Sequence, residues 1–320
     1  MLSTRFTELV GCTAPIQLAA MPQTATPELA AAVADAGGLG MIGGAMLPPP
    51  ALGAALDEVA ARTSRPVGVG FLMPFLDPGA VEVAARRAPV VEFFYAAPDA
   101  ALVEAVHAGG ALAAWQVGSR DEALAAVAAG CDFVVAQGVE AGGHVRGRVG
   151  LLALLEQVLD AVSVPVVAAG AIGGPRAMAA ALAAGADGVR LGTRFVAAAE
   201  SGAHPDYAAA LVAAGAEDTV VTEAFSVMWP DAPHRVLRSS LEAAEAFAGD
   251  MVGEMEIAGR PVPLPRFAVP NPVRASTGAI AAMPHYAGES VASVRSIQPA
   301  ADIVRELVEQ AERLLRRPWG

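Results

Sequence analysis

Short apolar runs recur along the first two-thirds of the chain, each followed by an alanine-rich stretch with scattered charges. Eight runs stand out: Ile16–Ala19, Leu39–Ile42, Val67–Phe71, Val90–Phe94, Leu112–Gln116, Phe133–Gln137, Val164–Ala169 and Val189–Leu191. Their shortness and continuous apolarity predict strands buried on both faces, as in a parallel sheet covered by helices. The following stretches predict helices over Glu28–Ala36, Ala51–Arg62, Ala80–Arg87, Ala100–Ala108, Asp121–Ala129, Leu151–Ala161, Arg176–Ala184 and Asp206–Ala214. Strand then helix, eight times over, specifies the α/β class and a parallel (β/α)8 TIM barrel.

Helix ends support this phase. Gly37-Gly38, Gly109-Gly110, Gly130 and Gly185 stand where left-handed caps are wanted. Thr26-Pro27-Glu28, Asp77-Pro78, Pro98-Asp99 and Ser119-Arg120-Asp121-Glu122 supply starts. A doubly wound sheet would need a glycine cluster after the first strand, where this chain has Ala20-Met21-Pro22-Gln23.

The alternation stops near Val220. Met228–His234 reads as loop, Val236–Ala248 as helix and Pro261–Pro272 as a proline-rich connection. Residues 221–298 are therefore expected to form a smaller, mainly helical lid subdomain on a barrel of residues 1–220. In 299–320, Ile303, Leu307, Ala311 and Leu314 recur at helical spacing, which predicts an amphipathic helix docked on the barrel.

At 54% hydrophobic and 17% charged residues the chain can bury a large core, and its net charge of −12 lacks the basic footprint of a nucleic-acid or anionic-membrane binder. A small-molecule substrate is the expected partner, and apolar barrel flanks admit a homodimer. The uncharged stretch from Ala36 to Leu56 is broken by Gly43-Gly44 and Pro48-Pro49-Pro50, which spoils a membrane helix. The N-terminus shows no secretory pattern, so a cytoplasmic location is expected. Cys12 and Cys131 have neither a disulfide framework nor metal-ligand spacing, so no metal is expected.

In such barrels chemistry sits at the carboxyl ends of the strands. Strand six runs into Gln137-Gly138-Val139-Glu140-Ala141-Gly142-Gly143-His144, a turn that lets backbone approach a ligand while holding one titratable ring over it. His144 is thus the candidate catalytic base. Strands seven and eight end in Ala169-Gly170-Ala171-Ile172-Gly173-Gly174-Pro175 and Leu191-Gly192-Thr193-Arg194, whose exposed amides and helix start suit a phosphate. Glu140 is expected to brace its turn by accepting backbone amides. His107 is read as a helix C-terminal cation, Asp187 as a turn residue, and His204 and His234 as surface or second-unit residues. Trp115, Phe93 and Phe94 are read as packing.

Pro15-Ile16 with Ala20-Met21, Thr26–Ala30 with Ala36–Gly40, Gln137–His144, and Gly185–Gly188 with Gly192-Thr193-Arg194-Phe195 together resemble the nitronate monooxygenase family, formerly 2-nitropropane dioxygenases. The resemblance implies an FMN-dependent barrel enzyme. It places Ala20 and Met21 near the flavin ring, and Gln137 near its polar edge or ribityl chain. Gly170, Ala171, Gly173, Gly192 and Thr193 fall around the phosphate. Gly70, Gln116, Gly142 and Gly143 complete the cofactor-binding set, and Tyr286 belongs to a turn brought back over the flavin as a substrate-pocket residue. Two positions depart from the pattern: Val69-Gly70-Phe71 stands where many relatives have an asparagine, and Gln116 where some place a lysine. Both remove a polar or charged contact to the ring. The implied reaction is oxidation of alkyl nitronates, such as propionate 3-nitronate, or of nitroalkanes with O2 to carbonyl compounds and nitrite, His144 acting as base. Because the family also includes enoyl-acyl carrier protein and NAD(P)H:quinone reductases, an NAD(P)H-dependent FMN reductase of quinones or enoyl thioesters is the alternative. A non-redox phosphate-binding barrel is a third.

Overall fold

The computed structural model describes residues 2–257 and 260–317, so residues 318–320 of the predicted C-terminal segment lie outside them. The eight predicted strands are present as β1 (Ile16–Leu18), β2 (Gly40–Gly43), β3 (Val67–Leu72), β4 (Val90–Phe94), β5 (Leu112–Val117), β6 (Phe133–Gln137), β7 (Val166–Ala169) and β8 (Gly188–Leu191). They pair in parallel, in the order β1-β8-β7-β6-β5-β4-β3-β2. Leu18 N donates to Leu39 O at 3.0 Å and Leu39 N to Ile16 O at 2.8 Å, which brings β1 to the edge of β2 and rounds the sheet into a barrel.

Seven helices follow their strands: α1 (Pro27–Asp35), α2 (Pro49–Arg62), α3 (Pro78–Arg87), α4 (Ala100–Gly109), α5 (Arg120–Ala128), α6 (Leu151–Ala161) and α7 (Pro175–Ala183). The predicted caps act at their starts. Thr26 accepts from Leu29 N at 3.0 Å and Asp77 from Gly79 N at 2.8 Å. Gly110, at φ 94°, ends α4 in the left-handed region.

The eighth position is filled differently from the sequence expectation. Helix α8 (Pro205–Ala213) packs Tyr207 and Leu211 against Leu237, Ala287 and Val291, away from the barrel core. The C-terminal helix α10 (Ala300–Leu315) instead lies against α7 and α1 and buries Ile303, Val304, Leu307 and Ala311 in that core. Its continuous apolar stripe with a charged opposite face suits the barrel exterior.

The covering segment carries strand as well as helix: β9 (Thr219–Thr222), β10 (His234–Leu237), α9 (Arg238–Ala246), β11 (Met251–Ile257) and β12 (Arg260–Pro265). The proline-rich stretch that reads as a connection is an edge strand, paired antiparallel with β11. Pro261, Pro263 and Pro265 alternate along it, so the positions lacking an N–H share one side of the strand and the ladder survives. Phe225, Val236, Val252, Met255, Leu264 and Met283 form the core of this segment.

An N-terminal helix, Arg5–Val10, plugs the opposite end of the barrel. Phe6 meets Phe133 edge-on at 5.5 Å, and a side chain at Gly188 would come within 2.9 Å of the Phe6 ring. Asp187, read as a turn residue, is buried and accepts a two-pronged bond from Arg5 at 2.8 and 2.7 Å, and a third from Val166 N at 2.9 Å. No helix among the described residues is long and apolar enough to cross a membrane.

Candidate active site

The carboxyl ends of the strands enclose a cavity of about 240 Å³, closed from above by Met255, Val269–Asn271 and Tyr286 of the covering segment. Ala20, Met21, Gly70, Gln116, Gln137, Gly142, Gly143, His144, Gly170, Gly192, Thr193 and Tyr286 all line it. Ala171 and Gly173 belong to the same turn, whose Gly170 and Ile172 are the lining residues. Ala171 adopts φ 55°, and a side chain on Gly173 would come within 2.7 Å of Ser290 O. Phe94, read as packing, also lines the cavity.

One side of the cavity is bordered by turns with unpaired backbone amides. Among the described residues, the amides of Gly170, Ala171, Ile172, Gly173, Gly192 and Thr193 donate to no carbonyl or side chain. Gly170, at φ 95°, turns the chain as a residue with a side chain would resist. Gly174 caps the nine-residue α7 without a side-chain acceptor, so free amides and the positive end of the helix face the same loop. Thr193 Oγ1 accepts from Gly288 N at 3.0 Å, which ties this turn to the covering segment.

His144 lies in a two-residue strand, Gly143–His144, paired antiparallel with β10. Val145 N donates to Pro233 O at 2.9 Å, and Gln137 Nε2 to His144 O at 3.2 Å, which fixes the loop from both sides. Glu140 takes its expected bracing role, accepting from Leu151 N at 3.0 and 3.1 Å. The imidazole stacks on Trp229 with centroids 3.9 Å apart and planes 14° from parallel. Tyr95 meets the ring at 5.9 Å and Tyr286 at 5.6 Å. Tyr95 and Met228, next to Trp229, hold φ of 75° and 84°, so the wall behind His144 includes strained backbone.

Burial, with His234 nearby, pushes the His144 pKa down to about 3, so the ring is neutral at physiological pH. Its Nε2 is shielded from solvent and has no hydrogen-bond partner. His234 lies in β10 of the segment after residue 220, and is not at the surface: it is 1% exposed and 5.1 Å from the His144 ring. Its Nε2 accepts from Phe225 N at 3.3 Å, leaving Nδ1 to donate to Ala232 O at 2.8 Å. Acceptance at Nε2 requires a neutral ring. Tyr286 donates its hydroxyl to Val269 O at 2.7 Å, so it presents its ring to the cavity.

Sequence reading missed the polar inner wall. Gln17 Nε2 donates to Glu92 Oε2 at 3.0 Å, and Arg190 bonds both Glu92 and Gln116. The signal was present: Glu92 and Arg190 each put a charge inside an otherwise apolar buried strand, a placement that requires a partner.

Comparison with known proteins agrees with this architecture. The nitronate monooxygenase family model matches residues 3–80 and 79–310. A (3aS,4S,5R,7aS)-5-hydroxy-7a-methyl-1-oxo-octahydro-1H-indene-4-carboxyl-CoA dehydrogenase of Rhodococcus jostii is 37% identical over 253 residues, 79% of this chain and 70% of its own. The structure of FabK from Thermotoga maritima is similar with a TM-score of 0.81 and 31% identity, covering 98% of each chain. That of a nitroalkane oxidase from Streptomyces ansochromogenes has a TM-score of 0.78 and 32% identity, covering 97% of this chain and 99% of the other. With the barrel, the glycine turns and the family match in agreement, the chain belongs to the nitronate monooxygenase family and is an oxidoreductase.

Proposed function

We propose that the chain is an FMN-dependent monooxygenase that oxidises alkyl nitronates with O2 to carbonyl compounds and nitrite. The carrying observation is the neutral ring of His144 in the wall of a cavity that is also lined by glycine turns with unpaired amides. The residues present fit FMN. The turns Gly170–Gly173 and Gly192-Thr193 would hold its phosphate. Ala20, Met21, Gly70 and Gln116 would border the ring, and the unpaired, buried Oε1 of Gln137 would accept from a cofactor N–H or O–H. When bound, FMN supplies electron acceptance and reactivity towards dioxygen.

The chain's own residues set the substrate. A base held near pKa 3 keeps an abstracted proton poorly, so His144 is suited less to deprotonating a neutral nitroalkane than to donating a ring N–H to an already anionic nitronate. Met21, Met46, Phe75 and Phe94 offer apolar wall for an alkyl chain. Arg190 is already bonded to Glu92, so a second carboxylate, as in propionate 3-nitronate, gains no free cation among the described lining residues. The reading therefore favours simple alkyl nitronates.

A dehydrogenase or NAD(P)H-dependent reductase of thioesters is the second reading, favoured by the likeness to a CoA dehydrogenase. Anaerobic mixing separates the two. Bleaching of the flavin band by an alkyl nitronate and not by NADH or NADPH is expected, and the reverse result transfers the assignment to the second reading. Purified protein without a flavin band, and unable to bind added FMN, would sink both.

A further inference from the structure

Four polar side chains from four strands meet inside the barrel: Glu92 of β4, Gln116 of β5 and Arg190 of β8 line the cavity, and Gln17 of β1 bonds Glu92 from behind. Each is more than nine-tenths buried. Among the described residues lining the cavity, Glu92 and Arg190 alone carry a formal charge once His144 is neutral. Two atoms of the group lack a partner, Arg190 Nε and Gln17 Oε1. Barrel interiors are ordinarily filled by branched apolar side chains, which match or exceed a buried ion pair in stability. A charged pair with unmet bonding capacity beside a ligand cavity therefore points to the ligand.

We propose that the Glu92–Arg190 pair sets the reduction potential of the redox cofactor in this cavity, Arg190 supplying a positive charge from β8 and Glu92 cancelling most of it. This rests on the FMN reading above. Reduction adds two electrons to the ring and makes it more negative unless protons follow in equal number, so nearby charge biases the equilibrium. Neutralising Glu92 leaves Arg190 uncompensated and favours reduced FMN. Removing Arg190 leaves Glu92 uncompensated and disfavours it. Because both charges sit out of water, the effect is screened little by salt.

The test compares holo wild type with Glu92→Gln, Arg190→Gln and the double variant, reduced anaerobically by dithionite against a reference dye at pH 8. Glu92→Gln is expected to raise the reduced-to-oxidised ratio at least tenfold, about 30 mV for a two-electron couple. Arg190→Gln is expected to lower it by a similar factor, and the double variant to return close to wild type. Single variants that move the potential in the same direction, or leave it unmoved, would overturn the proposal, since a merely structural role loosens the site without opposite signs. If one single variant does not fold, the sign of the other still decides. Wild-type protein that binds no FMN overturns the proposed function and this proposal together, whereas bound FMN with unmoved potentials overturns this proposal alone.

Discussion

Replacing Trp229 with alanine should raise the pKa of His144. The indole is 5% exposed and covers one face of the imidazole at 3.9 Å, so much of the low-dielectric surface around the ring belongs to this one side chain. Displacement of the pKa from 6.5 to about 3 represents roughly 5 kcal/mol in favour of the neutral ring, at about 1.4 kcal/mol per pKa unit. Water admitted to one of the two ring faces should recover up to about half of this, ~2 kcal/mol, and bring the midpoint to between about 4 and 5. Trp229→Phe keeps an aromatic face and should stay near wild type. Nuclear magnetic resonance of ring-labelled histidine between pH 4 and 8 reads the result directly. A wild-type His144 titrating near its ordinary value would refute the reasoning, as would a folded Trp229→Ala protein with an unmoved midpoint.

Acidification should destabilise the fold before the carboxylates titrate. His144 and His285, held at about 3 and about 4 by burial, stay neutral in the folded state while the unfolded chain takes up protons below about pH 6.5. Stability is therefore full above pH 6.5 and falls as pH drops towards 4, by about 1.4 kcal/mol per pH unit for each such histidine. Urea unfolding midpoints at pH 7, 6 and 5 check this, and a flat profile would contradict it. Gly142→Ala should lower both turnover and FMN affinity, because its Cβ would stand 2.4 Å from Gly288 N and 2.6 Å from Ala287 C in the cavity wall, and relief of such overlap costs about 1–3 kcal/mol. Turnover and flavin fluorescence measured together show whether both fall. Asp187→Asn should lower the thermal midpoint through loss of about 1–3 kcal/mol of charged hydrogen bonding, yet leave FMN affinity unchanged because the Arg5 clamp lies at the opposite end of the barrel. A fall in affinity comparable to the fall in stability would count against that separation.

The barrel was legible because its signal is local. A buried parallel strand declares itself within five residues, and Thr26, Asp77 and Gly110 punctuate the helices within one turn. The glycine turns were legible for the same reason. What stayed hidden depends on pairing over long separations. Glu92 and Arg190 are 98 positions apart, and neither strand discloses which other strand answers its charge. Trp229 sits in a stretch that reads as loop, and only the pairing of His144 with His234 brings it onto the imidazole. Residues 205–213 and 300–315 both form helices, and periodicity alone could not decide which of them completes the outer ring.

The two-residue strand that carries His144 belongs by backbone pairing to the β9–β10 sheet, and is tied to the barrel by the chain and by the bond from Gln137 Nε2 to His144 O. The same covering segment reaches the opposite wall of the cavity, where Gly288 N donates to Thr193 Oγ1, so the imidazole and the Gly192-Thr193 turn both take their positions from one stretch of chain seated on the barrel mouth. A substitution that shifts that seat would displace both together.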